Sequence, residues 1–171
     1  LEEVQRYVEE LALWGFNSLQ VWFDMHHFQG IADPAAQELI LRLRNLFQTA
    51  RQAGLAPGLC VLANEAYANS PAELRALPTD RGHYRVELCP SKPGAKELVL
   101  RWMEEEFKAF ADLPIEHLWI WPYDQGGCFC ERCRPWGANG FLKMAEPLAR
   151  PFRRYFPRGK VVLSTWCFDY G

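Results

Sequence analysis

The sequence predicts an α/β chain, and within that class a partial TIM (β/α)8 barrel of about five parallel strands with intervening helices. Three observations carry this. Short apolar runs alternate with longer runs of helical periodicity; strand starts fall about 30 to 45 residues apart, as in a barrel of roughly 250 residues; and the unusual polar residues gather just after the strands. A doubly wound open sheet would share the alternation, but no Gly-rich dinucleotide turn follows any of the strands.

Each element has its own signal. Leu1, Val4, Val8 and Leu11 recur at helical spacing, and the pattern stops at Gly15. Ser18–Asp24 then reads as a first strand. Asp33-Pro34 supplies an N-cap and first-turn pair for a helix turning Leu39, Ile40, Leu43, Leu46, Phe47 and Ala50 inward. Leu55–Ala63 is apolar at nearly every position, as a strand covered on both faces should be, although Pro57 and Gly58 blur its start. Ser70-Pro71-Ala72-Glu73 has capping-box form, and Tyr84–Cys89 reads as a third strand. Pro93 opens a helix carrying Leu98, Val99, Trp102, Phe107 and Phe110, followed by a fourth strand over Ile115–Trp121. Phe141–Tyr155 can form a helix if Pro147 and Pro151 do not interrupt it, and Lys160–Trp166 is the fifth strand. Without internal repeats or a linker, residues 1–171 read as a single domain cut from a larger barrel. An open wall of five strands exposes two edges, so this stretch alone is expected to associate or aggregate.

Composition narrows the partners. With 49% hydrophobic residues the chain can bury a core, while 19 basic and 21 acidic residues mixed along it form no basic patch, which argues against nucleic acid. No apolar run approaches the roughly 20 residues of a membrane span.

In a barrel, chemistry gathers at the C-terminal ends of the strands. There the sequence places Asp24, His26 and His27; Asn64, Glu65 and Tyr67; Glu87, Cys89 and Ser91; Tyr123, Asp124 and Gln125; and Trp166 and Asp169. Carboxylates held at different pKa values can serve as acid and base, and aromatic faces stack on the C–H faces of sugars, so a carbohydrate substrate is the natural reading. Trp14, Trp22, Trp102 and Trp119 are expected to be packing residues, whereas Trp121, Trp136 and Trp166 lie where they could stack on a sugar. Cys128, Cys130 and Cys133 have C-x-C-x-x-C spacing, able to present three thiolates to one tetrahedral ion, with Cys89 as the fourth. Structural zinc suits such a soft shell, and a thiolate site favours the cytoplasm. A disulfide within the trio, or free thiols, are the alternatives. Cys60, in mid-strand, is expected to be a core residue.

Leu88-Cys89-Pro90-Ser91, followed by a helix and by Ile115-Glu116-His117-Leu118-Trp119-Ile120-Trp121-Pro122-Tyr123-Asp124-Gln125, resembles the strand–helix–strand of family 20 glycoside hydrolases, the β-N-acetylhexosaminidases. Trp14-Gly15-Phe16-Asn17 and Ala50-Arg51-Gln52-Ala53-Gly54-Leu55 fit the same barrel in the same order. The resemblance implies a glycosidase in which Asp124 orients and charge-stabilises the substrate's acetamido group. Gln125 stands where that family has the Glu that protonates the leaving oxygen, and an amide has no such proton. Glu65, Glu87 or Glu131 could supply the acid instead; failing that, the chain would be a sugar-binding barrel without hydrolysis. The Cys-rich run Gly126–Gly137 departs from that family's usual loop and is similar to hexosaminidase-like and α-glucuronidase-like barrels that carry one.

Overall fold

A computed structural model describes residues 2–78, 84–122 and 127–165. Its frame is a parallel sheet of β1 (Ser18–Trp22), β2 (Ala56–Leu62), β3 (His117–Trp121) and β4 (Lys160–Leu163), hydrogen-bonded in that order. The connecting helices are α1 (Glu2–Leu13), before β1, then α2 (Pro34–Gln52), α3 (Ala95–Ala109) and α4 (Leu142–Tyr155). The order never reverses, and the helices pack on a single face, where Val21, Leu59, Val61, Leu118, Ile120 and Val161 join one core with α2, α3 and α4. That is the construction of a barrel wall and not of a doubly wound sheet.

Period-2 alternation puts the remaining strand residues on the other, inner face. Gln20, Gly58, His117 and Lys160 share one row of the register, and Trp22, Cys60, Trp119 and Val162 the next. Gly58 is required here, because a Cβ would lie 1.8 Å from Oε1 of Gln20. Burial pushes the Cys60 thiol up to about 12, so it is unreactive at neutral pH and behaves as a small apolar side chain.

The helices follow the sequence signals closely. Asp33 Oδ1 accepts the Ala35 amide at 3.0 Å and starts α2. Phe47 of α2 meets Phe110 edge to face, and Phe107 of α3 meets Phe152 of α4 in the same way. α4 runs through Pro147 and Pro151 without a break. It is preceded by a π-helical turn, Gly137–Phe141, which seats the buried Trp136 ring against Gly140. A Cβ on Gly140 would lie 1.9 Å from that ring. Gly140→Ala must therefore displace a packed indole; an overpacking cost of about 2 kcal/mol, or a melting temperature lower by about 4–8 °C, is expected in thermal denaturation.

Several expectations need correction. Tyr84–Cys89 is not a strand of the sheet: β2 pairs directly with β3, and only Leu88 forms a bridge, antiparallel, to Arg75. With β2 already paired to β3, the Glu87 carboxylate accepts the amides of Tyr84 and Val86, and Arg85 has φ 65°, so the segment turns back instead of extending. The sheet thus has four described strands, with Trp166 outside the described residues. The short helical stretch expected after Ser70-Pro71 is present as the 3-10 turn Ala72–Leu74, but Ser70 does not cap it, because its hydroxyl donates to Val86 O. Trp14 does not pack: α1 ends before it and Gly15 turns the chain at φ 88°, leaving the indole 82% exposed. Trp22 and Trp119 are half-buried on the inner face instead of beneath a helix, whereas Trp102 packs edge to face on Tyr67 at 5.3 Å.

Candidate functional site: a four-cysteine centre beside the sheet rim

Two neighbouring constellations lie at the C-terminal side of the strands. The first is made of sulfur. The sulfurs of Cys89, Cys128, Cys130 and Cys133 all lie within 4.8 Å of one another. Cys89 Sγ is 3.8 Å from both Cys130 Sγ and Cys133 Sγ. Four ligands at about 2.3 Å around one tetrahedral ion stand about 3.8 Å apart, whereas a disulfide needs about 2.05 Å. No disulfide joins the described cysteines.

Backbone pairing builds this centre from distant pieces. Leu74 O accepts the Cys89 amide and Ala76 donates to Glu87 O, while Leu77 O accepts from Phe129 and the Leu77 amide donates to Cys128 Sγ at 3.4 Å. Residues 74–77 thus knit the Cys89 arm to the Cys128 arm. Cys130 O accepts the amides of Cys133 and Arg134, closing the turn that brings the last two sulfurs together. Ser91 Oγ lies 2.9 Å from Cys133 Sγ. Hydrogen bonds from Cys128 and then Cys133 hold the Cys89 thiol down to about 2, while those from Cys128 and then Cys89 push the Cys133 thiol well up. Four adjacent thiolates would repel unless a cation lay between them, and this donor set fits a soft divalent ion. Cys89 and Cys130 also line a groove of about 400 Å³ with Leu77, Lys92, Phe129, Glu131 and Arg132.

The second constellation is the rim itself. Asp24, two residues beyond β1, takes a left-handed conformation, φ 57°, which is unusual for a residue other than glycine. His26 stacks on Tyr84 at 3.4 Å between centroids and touches His27 at 3.9 Å. Burial, then His27, lowers the His26 pKa, so its imidazole is neutral at pH 7. Trp22 and Trp121, the last residues of β1 and β3, approach to 5.8 Å on the inner face. Tyr84 carried no signal in the sequence, being read as strand.

Other expected site residues lie deeper. Glu65 is buried, and its carboxylate accepts the Met25 amide at 2.7 Å and the Leu62 amide at 3.3 Å. Burial dominates those bonds and pushes its pKa up to about 8. Tyr67 is wholly buried against Trp102, and Trp136 is buried with its indole N–H donating to Pro122 O. Glu131 is exposed on the lip of the groove beside Cys130. Asn64, also buried, bonds Leu88 and Gly127. Tyr123, Asp124, Gln125, Trp166 and Asp169 lie outside the described residues.

Glu106 escaped the sequence reading although its helical spacing from Val99 and Met103 places it on the inward stripe of α3. It is fully buried, neither carboxyl oxygen has a hydrogen-bond partner among the described residues, and burial, then Glu65 and Asp24, raise its pKa well above 4.5. Above pH 4.5 the unfolded chain releases this proton while the folded chain keeps it, so the group contributes stability at low pH that is lost as pH rises. Glu106→Gln removes this dependence. The variant is expected to melt several degrees above the parent at pH 8 and level with it near pH 4.5; melting curves at both pH values check this, and equal curves at pH 8 would refute it.

No family model matches this sequence, and no curated protein does. Solved structures do. A GH20 β-N-acetylhexosaminidase from Streptomyces coelicolor A3(2) aligns over 97% of this chain and 36% of its own, at 16% identity and TM-score 0.58. The fold is a partial (β/α)8 barrel. An α-amylase from Geobacillus thermoleovorans, complexed with acarbose, matches 95% of this chain and 40% of its own at 12% identity and TM-score 0.58. A hypothetical protein from Ruminiclostridium thermocellum ATCC 27405 matches 96% of this chain and 92% of its own, at 12% identity and TM-score 0.56. The chain therefore spans well under half of the two glycoside hydrolases it matches, and at these identities the likeness is one of fold. Among the described residues, no helix is long and apolar enough to cross a membrane.

Proposed function

We propose that this chain is the wall of a carbohydrate-active, glycoside-hydrolase-like barrel, with its sugar site on the C-terminal rim and a structural zinc ion in the four-cysteine centre. The observation that carries the reading is the pair Trp22 and Trp121, half-buried on the inner face where the strands end, at the same end of the sheet as Asp24, His26 and Tyr84. Paired indoles present apolar faces to sugar rings, while the carboxylate and imidazole offer polar partners to hydroxyls. Asp124, three residues beyond β3, is the proposed electrostatic stabiliser, with Tyr123, Gln125, Trp166 and Asp169 contributing to binding. Further strands would cover the inner face in a complete barrel. All four thiolates are used by the ion, so no coordination position is left for chemistry and its role is structural. Such a site suits a reducing compartment, the cytoplasm above all.

A second reading, a sugar-binding barrel without hydrolysis, is favoured by the sealing of Glu65 and by Gln125 in the place of the acid. Glu131, on the groove and away from the strand ends, serves either reading poorly as an acid. Fluorogenic aryl glycosides, with tryptophan fluorescence on adding oligosaccharides, separate the readings in the full-length protein. Turnover supports the hydrolase; quenching without turnover supports the binding barrel; neither response across a broad panel overturns the carbohydrate reading.

A further inference from the structure

The side chain of Asn64 engages both of its polar atoms with two distant segments. Nδ2 donates to Leu88 O at 2.9 Å and to Gly127 O at 3.0 Å, and Oδ1 accepts the Gly127 amide at 3.0 Å. The backbone adds Leu88 N donating to Asn64 O at 3.1 Å. Leu88 and Gly127 each immediately precede a cysteine of the centre, Cys89 and Cys128. The amide thus holds apart, at a set spacing, the two backbones whose sulfurs must converge on one ion. The next residue, Glu65, fastens the end of β2 to the turn after β1 through the Met25 amide, beside His26. Two consecutive buried residues therefore tie the sulfur centre to the rim.

We propose that Asn64 is a positioning residue that couples metal occupancy of the four-cysteine centre to the order of the sheet rim. This rests on the reading of the cysteines as a metal site. By linkage, whatever the bracket adds to metal affinity, the bound ion returns as stability of the bracket. Partners behind the ligands ordinarily alter metal affinity by about 10- to 100-fold, and Asn64 is buried with every polar atom engaged, so a loss in that range is expected. Asn64→Asp keeps the shape but turns an oxygen toward the carbonyls of Leu88 and Gly127; Asn64→Ala removes the bracket.

The test uses the full-length protein, with Zn²⁺ titrated against a chromophoric chelator and Co²⁺ as the spectroscopic probe. Both variants should bind one ion about 10- to 100-fold more weakly, with the tetrathiolate Co²⁺ absorption unchanged in shape. Phe47→Leu, a core substitution on the buried face of α2, serves as the control for lost stability and should leave affinity within about twofold. Hydrogen exchange supplies the reverse arm: chelation should deprotect the amides of Leu88, Gly127 and Met25 while those of Leu59 and Leu118, inside the sheet, stay protected. Unchanged affinity in both variants, an equal loss in Phe47→Leu, or exchange at Leu88 and Gly127 indifferent to the ion would each overturn the coupling alone. A parent protein that binds no ion would overturn the metal reading and this inference with it.

Discussion

Removing the metal proposed for the four-cysteine centre is expected to lower the melting temperature by about 8–16 °C. An ion present at about 1,000 times its dissociation constant stabilises the folded state by about 4 kcal/mol, and each kcal/mol moves the melting temperature of a domain this size by about 2–4 °C. The proposed ion would have this leverage because its ligands come from two segments about 40 residues apart, Cys89 and Cys128–Cys133, separated along the chain by α3 and β3. Residues 74–77 and Asn64 join those segments through hydrogen bonds, and an ion held by all four sulfurs would add direct bonds between them. Cys133→Ser replaces a wholly buried sulfur that lies 3.8 Å from Cys89. It should abolish both the zinc stoichiometry of one and the sensitivity of melting to chelator, while parent protein shows both by native mass spectrometry and calorimetry. Since thiolates bind the ion and thiols do not, affinity should also fall as pH is lowered. Parent protein that is metal-free, carries a disulfide within the cluster and melts independently of chelator would sink the expectation.

The second large effect belongs to Asp124. It follows β3, ends a nearly all-apolar run and precedes Gly126-Gly127 in the sequence. The described residues on either side are tied down, Pro122 by the indole of Trp136 and Gly127 by Asn64. An oxocarbenium-like transition state develops positive charge that a positioned carboxylate stabilises, and losing one such stabiliser costs on the order of 10²-fold in kcat. Asp124→Asn keeps most of the hydrogen bonding and loses the charge, so the full-length protein should lose about 10²-fold or more in turnover of a responsive glycoside with little change in melting temperature. Unchanged turnover would remove Asp124 from the mechanism. A large fall in melting temperature would assign it to capping the loop.

The amino-acid sequence by itself determined the alternation of elements, the bounds of most helices, and the four cysteines as one set. Those properties are local: periodicity, caps and ligand spacing are written in neighbouring residues, as Asp33-Pro34 before α2 and Cys128-x-Cys130-x-x-Cys133 illustrate. What the tertiary structure decided depends on partners far along the chain. Tyr84–Cys89 has the composition of a strand, but β2 has its partner in β3, and the Glu87 carboxylate folds the segment back. Asn64 and Glu65 read as rim polar groups like any others; only the approach of Leu88, Gly127 and Met25 turned one into a bracket and sealed the other. Trp22 and Trp119 read as core because apolar strand residues usually have cover on both faces, and which face the helices cover is settled by long-range packing alone. A buried hydrogen bond between residues about 60 positions apart leaves no periodic trace, so the coupling of the cysteine centre to the rim became visible only in three dimensions.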